Sequence, residues 1–343
     1  MKTPLLTTLG IALVSIGLPI CAAPSMAGAE PAHYVFFNLD RERIREAWFA
    51  DTGTFEGAQL KYTWKELEPD EGEYNLKAIH DDLAFLKSKG KKLFVQLQEA
   101  SFDTNRVLVP NYLRKNPEYH GGADLQYAFE DESETKAKPE GWVARRWDPA
   151  VRARFHLLLR EMGRQLDGQI AGLNLPETAV GFGEKTNRHP AGFTFAGYRD
   201  AIQANMKAAK AAFPKSVVMQ YANFMPGEWL PGNDHGYLKS IYEFAIANGI
   251  GVGGPDLLPF RKGQLNHSYP LIKSAAGKVP KGIAVQFGNY EAINPKTSRV
   301  VSIAELFEFA RTELRVDYLF WSTQEPYFTK GVIPLLEDHR KQR

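Results

Sequence analysis

The chain has a single cysteine among 343 residues, which leaves no internal disulfide and no cysteine metal site. None of its eight histidines is paired at metal-ligand spacing or falls at a strand end expected from the sequence, so a bound metal is not expected. Glycine-rich phosphate loops are missing too: there is no P-loop, no dinucleotide fingerprint after the first apolar run and none near the last two. No cofactor is therefore expected. Charge of one sign is not in excess, with 42 basic against 40 acidic residues, and nothing points to nucleic acid or an anionic surface as partner. A long hydrophobic run is absent as well. The stretch Leu5–Leu18 falls short of the roughly 20 residues that span a bilayer and Pro19 interrupts it, so no stable membrane anchor is expected.

That short apolar run has a different reading. Lys2 precedes it and small residues follow it, the order of a secretory signal, with cleavage after Ala27 or Ala29. Export to the periplasm or the medium is the expectation. The only cysteine, Cys21, lies inside this segment, and Ile20 before it argues against lipidation. Residues 30–343 are then left as one domain, whose oligomeric state the sequence does not specify.

From Tyr34 onward, short apolar runs alternate with amphipathic helical patterns, the rhythm of a parallel sheet covered by helices. The runs are Tyr34–Leu39, Ala58–Trp64, Lys92–Leu97, Ile170–Leu175, Val217–Asn223, Ile250–Gly254, Gly282–Phe287 and Tyr318–Trp321. Eight such units predict a (β/α)8 barrel, the α/β fold of roughly 250 residues or more whose active sites lie at the C-terminal strand ends. If two runs were loops, the sheet would instead be open and doubly wound. Helix signals agree with the alternation: Asp148-Pro149 opens one helix, and Ser302 with Glu305 forms a capping box before another. A long insertion, Glu99 to Trp147, follows the third run and carries aromatic residues suited to flooring a cleft, among them Tyr112, Tyr119, Tyr127, Phe129, Trp142 and Trp147.

In a barrel the strand ends converge, and here they are polar or aromatic. They include Tyr62 and Trp64; Gln96; Asn174 and Glu177; Gln220 and Asn223; Asp256; Gln286, Asn289 and Glu291; Trp321 and Glu325. Amides and carboxylates hydrogen-bond hydroxyl groups, and aromatic faces stack on the apolar side of a sugar ring, so a carbohydrate is the expected partner.

The stretches Trp64-Lys65-Glu66-Leu67-Glu68-Pro69, Val109-Pro110-Asn111-Tyr112-Leu113, Trp147-Asp148-Pro149 and Phe320-Trp321 resemble the large clan of retaining (β/α)8 glycoside hydrolases that includes β-galactosidases, xylanases and cellulases. The resemblance implies an acid/base glutamate at the end of the fourth strand, which Glu177 matches, although Asn174 stands earlier than the clan's asparagine. It also implies a nucleophilic glutamate at the end of the seventh strand, where this chain has Gln286. An amide cannot attack an anomeric carbon. Glu291, then Asp256, then Glu325 are the candidate replacements. Two carboxyl groups roughly 5–5.5 Å apart would retain the sugar configuration, and roughly 6.5–9.5 Å apart would invert it.

The sequence thus predicts an exported hydrolase of O-glycosidic bonds in a polysaccharide or oligosaccharide. Trp64 and Trp321 would stack on sugar, while Gln96, Asn174, Gln220, Asn223, Gln286 and Asn289 would hold hydroxyls. Gln286 keeps a second class open, a non-catalytic sugar-binding barrel that lost its nucleophile. A lyase or transglycosylase on the same ligand is a third.

Overall fold

Eight strands close into a parallel barrel: β1 Ala32–Asn38, β2 Gly57–Thr63, β3 Lys92–Gln98, β4 Gly172–Leu175, β5 Val217–Tyr221, β6 Gly251–Gly254, β7 Lys281–Val285 and β8 Tyr318–Ser322. Their spatial order follows the chain, with β1 pairing both β2 and β8. The computed structural model describes residues 30–129, 134, 136–185 and 188–342. The segment read as an export signal and most of the acidic stretch from Glu130 to Lys136 lie outside the described residues.

The strands are buried on both faces, which is why they read as nearly continuous apolar runs. In β3, Leu93, Val95 and Leu97 face outward into the helix layer while Phe94 faces the barrel axis. The lower interior is plugged by Tyr34, Phe36, Phe94, Met219, Tyr221, Ala284 and Phe320. Two glycines make room for this plug. A Cβ on Gly172 would come within 2.4 Å of the Phe94 ring, and one on Gly282 within 2.7 Å of the Met219 sulfur.

The covering helices include α1 Lys77–Ser88, α2 Pro149–Leu166, α3 Phe195–Ala212, α4 Tyr237–Ala247 and α5 Ile303–Glu308. They start where their caps dictate: the Asp148 side chain accepts from the amides of Ala150 and Val151, and both halves of the Ser302–Glu305 capping box are formed. Among the described residues, no helix is long and apolar enough to cross a membrane.

The insertion after β3 is more regular than its polar sequence suggests. Ala123–Phe129 and Ala137–Ala144 form an antiparallel hairpin, and Ala100–Ser101 pairs with its second strand. Several of its aromatic residues are structural. Tyr119 is buried, and Trp147 packs edge-on against Phe182 and Phe193 at 5.4 and 5.2 Å.

Strand parity corrects three of the expected sugar contacts. On β2 the inward positions are Gln59 and Lys61, so Tyr62 points outward and donates its hydroxyl to Asp82 at 2.8 Å. Trp64, 1% exposed, donates its indole N–H to Glu68 at 2.8 Å and packs against Phe155. Trp321 is wholly buried, with its indole N–H donated to His33 at 3.1 Å. None of the three reaches the mouth, and their rings stabilise the layer between strands and helices. Trp64→Ala should therefore lower stability by about 3–5 kcal/mol, as measured by denaturant unfolding.

Candidate functional site at the strand ends

Glu177 lies two residues past β4, on a turn clamped to the neighbouring elements. The Gln220 amide donates to the Pro176 carbonyl at 2.6 Å, Thr178 N–H donates to Tyr221 O at 3.1 Å, and the Thr178 hydroxyl donates to Phe224 O at 2.6 Å. From the other side, Arg146 donates to the Glu177 carbonyl at 2.7 Å. Arg146 is itself fixed by a two-point ion pair with Glu99, at 2.5 and 3.0 Å, and by the Tyr198 hydroxyl. Gln220 thus holds the backbone beneath the candidate acid, its amide donating to Pro176 O and Tyr221 O.

The Glu177 carboxyl sits deep in this frame. Burial pushes its pKa up to about 7; the Asn223 amide, donating to Oε2 at 2.7 Å, opposes the rise, and the negative charge of Asp256 reinforces it. Arg146 and Lys61 pull weakly the other way. A carboxyl titrating there is protonated in a useful fraction near neutral pH, as a general acid requires.

Asp256 is the carboxylate the fold brings towards Glu177. It lies two residues past β6, its own pKa is raised by burial, and the Asn289 amide donates to Oδ1 at 3.0 Å. Asn289 also accepts from the amides of Leu257 and Gln286, both at 3.0 Å, so it ties the ends of β6 and β7 together. Its role is to hold Asp256. The ranking of candidate partners is reversed relative to the sequence reading. Glu291 is exposed, with the Gln324 amide donating to it at 2.7 Å, and Glu325 is exposed, its carboxylate turned onto the hydroxyl and amide of Thr329. Neither shares the environment of Glu177.

Inside the mouth, β2, β3 and β4 set a polar row in register. Lys61 is level with Gln96, and Gln96 with Asn174. Gln96 Oε1, Gln98 Oε1 and both side-chain polar atoms of Asn174 are buried without a partner among the protein atoms. Buried amides are nearly always satisfied, so this concentration at one end of the barrel marks a place where the protein leaves polar groups for water or a polar ligand to satisfy. Gln286, one residue past β7, is half-buried, and its side chain lies at the same end of the barrel.

Sequence reasoning missed two groups. Lys61 is the first, discussed below. The second is a set of exposed rings on the loops that follow β3, β5 and β7: Phe102, Trp229 and Phe287 are 53, 59 and 60% exposed. Trp229 stacks on Phe224 at 5.6 Å with an interplanar angle of 5°. Both rings line a cavity of about 230 Å³ between the loops after β4 and β5, together with Ala179, Val180 and Glu184. The detectable signal was position, since Phe102 and Phe287 closely follow a strand end and Trp229 lies on the loop after one. A larger groove of about 800 Å³ lies between the outer faces of α2 and α3 and contains none of these residues. Among the described residues, no cluster of three or more potential metal ligands occurs.

The architecture defines the class: a (β/α)8 barrel with its polar and ionisable groups gathered at the C-terminal strand ends. The catalytic domain of a β-amylase from Paenibacillus polymyxa superposes with a TM-score of 0.56 at 9% identity, over 90% of this chain and 99% of that one. A β-galactosidase from Bacillus circulans sp. alkalophilus superposes with a TM-score of 0.52 at 10% identity, over 85% of this chain and 50% of that one. Xylanase 10B from Thermotoga petrophila RKU-1, in complex with xylobiose, gives a TM-score of 0.49 at 8% identity, over 84% of this chain and 81% of that one. Neither a family profile nor a curated protein sequence matches the chain. Identities this low establish the shared fold.

Proposed function

We propose that the protein is an exported glycoside hydrolase that cleaves O-glycosidic bonds of a polysaccharide or oligosaccharide, with Glu177 as general acid and Asp256 as the second carboxylate. The observation that carries this reading is the pairing of environments. The Glu177 carboxyl, with the Asn223 amide donating to it, is pushed up to about 7, and the Asp256 carboxylate past β6, with its own amide partner, lies near enough for its charge to add to that rise. Two carboxyl groups with distinct surroundings are what protonation of a leaving oxygen and attack from the opposite side demand. The likeness in fold to a β-amylase and a β-galactosidase supports the reading, as does the polar row of Gln96 and Asn174.

Release of reducing ends from a broad panel of glycans tests it. Gln286, standing where the clan resemblance calls for a nucleophile, favours a second reading, a sugar-binding barrel without turnover. Binding across the panel with no product would select that reading, and neither binding nor product would sink both.

In either reading Trp229 takes the stacking role that Trp64 and Trp321 cannot. Trp229→Ala should weaken glycan binding by about 1 kcal/mol, several-fold in Kd, with little change in the unfolding midpoint because the ring is largely in solvent. Calorimetric titration alongside thermal unfolding checks both parts.

A further inference from the structure

The amino group of Lys61 lies on the inner surface of the barrel, in the row it shares with Gln96 and Asn174. Its nearest ring is Phe36, whose centroid is 5.7 Å away. Among the described residues no carboxylate stands within 4.0 Å of it. Glu177 and the exposed Arg106 of the loop after β3 are within electrostatic reach, one favouring the ammonium and the other opposing it.

Glu177 does not serve as its counter-ion. In a contact ion pair the acid would be driven down and the amine up. Here burial moves both towards their neutral forms, Glu177 up to about 7 and Lys61 down to about 8, and their mutual attraction opposes this only in part. A half-buried amine left this way, level with the Gln96 amide on the neighbouring strand and with no carboxylate at contact distance among the described residues, is a half-made anion site. Neutral hydroxyls would satisfy the amides but leave the ammonium without a charge partner.

We infer that the substrate is an acidic glycan, and that a carboxylate borne on a sugar ring, as in a uronic acid, is received by the Lys61 ammonium and the neighbouring Gln96 amide at the C-terminal end of the barrel. This rests on the reading of the barrel as a carbohydrate site and narrows it to one substrate class. Arg106, at the rim, adds a second positive charge on the path inward.

The test uses the full chain carrying Glu177→Gln, so that binding is read without turnover. Affinity electrophoresis and calorimetry compare polygalacturonate, alginate, hyaluronan and glucuronoxylan with neutral galactan, glucan and unsubstituted xylan. At least one uronate-bearing glycan should bind tenfold or more tightly than every neutral one. Adding Lys61→Met should erase that preference, and Lys61→Arg should keep part of it. Equal or tighter binding of neutral glycans overturns the inference while leaving the carbohydrate reading intact, as does a preference that Lys61→Met leaves unchanged. If no glycan of either kind binds, the carbohydrate reading itself has failed. Should Lys61→Met fail to fold, the acidic-against-neutral comparison in the Lys61-containing protein still decides.

Discussion

Glu177→Gln is expected to lower turnover of a natural glycan by about 10²–10⁴-fold, the usual worth of a positioned general acid, while binding is retained. The substitution is nearly isosteric, and the Asn223 amide that donates to Glu177 at 2.7 Å can donate equally to a glutamine oxygen. What disappears is the transferable proton. The loss should therefore shrink on an aryl glycoside whose leaving group needs no protonation, a comparison that separates a missing acid from a distorted cleft. Wild-type activity carries its own signature. Because the acid must be protonated and titrates near 7, the rate should fall about tenfold per pH unit above that value. A rate that stays flat from pH 7 to 9 would remove Glu177 from this role.

The second large effect belongs to Asp256. Asp256→Asn should cost about 10²–10⁴-fold in turnover, whether the lost carboxylate attacks the sugar or activates water. It should also move the alkaline limb of the residual activity. The Asp256 charge helps hold the Glu177 proton, so removing it lowers the pKa of Glu177 and shifts that limb to lower pH. Glu291→Gln and Glu325→Gln should leave both the rate and the limb essentially in place, since those side chains are exposed and engaged with Gln324 and Thr329. A full loss in Glu291→Gln together with an active Asp256→Asn would transfer the role back to β7.

The barrel was legible in the sequence because its strands are buried on both faces: all eight runs fall within two residues of the observed strands, and the caps at Asp148 and Ser302 start the helices they announce. The site was legible only to the level of the strand end. Which side chain at that end faces the axis depends on a parity that a one-residue offset inverts. On β2 that offset separates Tyr62 and Trp64, which serve the core, from Lys61, which faces the cleft. The partner of Glu177 was hidden for another reason. Asp256 is 79 positions further along the chain, and it is the parallel order β4-β5-β6 that brings their C-terminal ends to one mouth. The clamp of Arg146 on Glu99 was equally invisible, because the pair closes across the hairpin folded from the insertion.

The plug of seven apolar side chains beneath the polar row closes the barrel along its axis. Tyr34, Phe94 and Phe320 fill its lower end, so under the proposed activity substrate, water and product would share one doorway. A product fragment held there would have to leave by the same opening through which the next substrate enters.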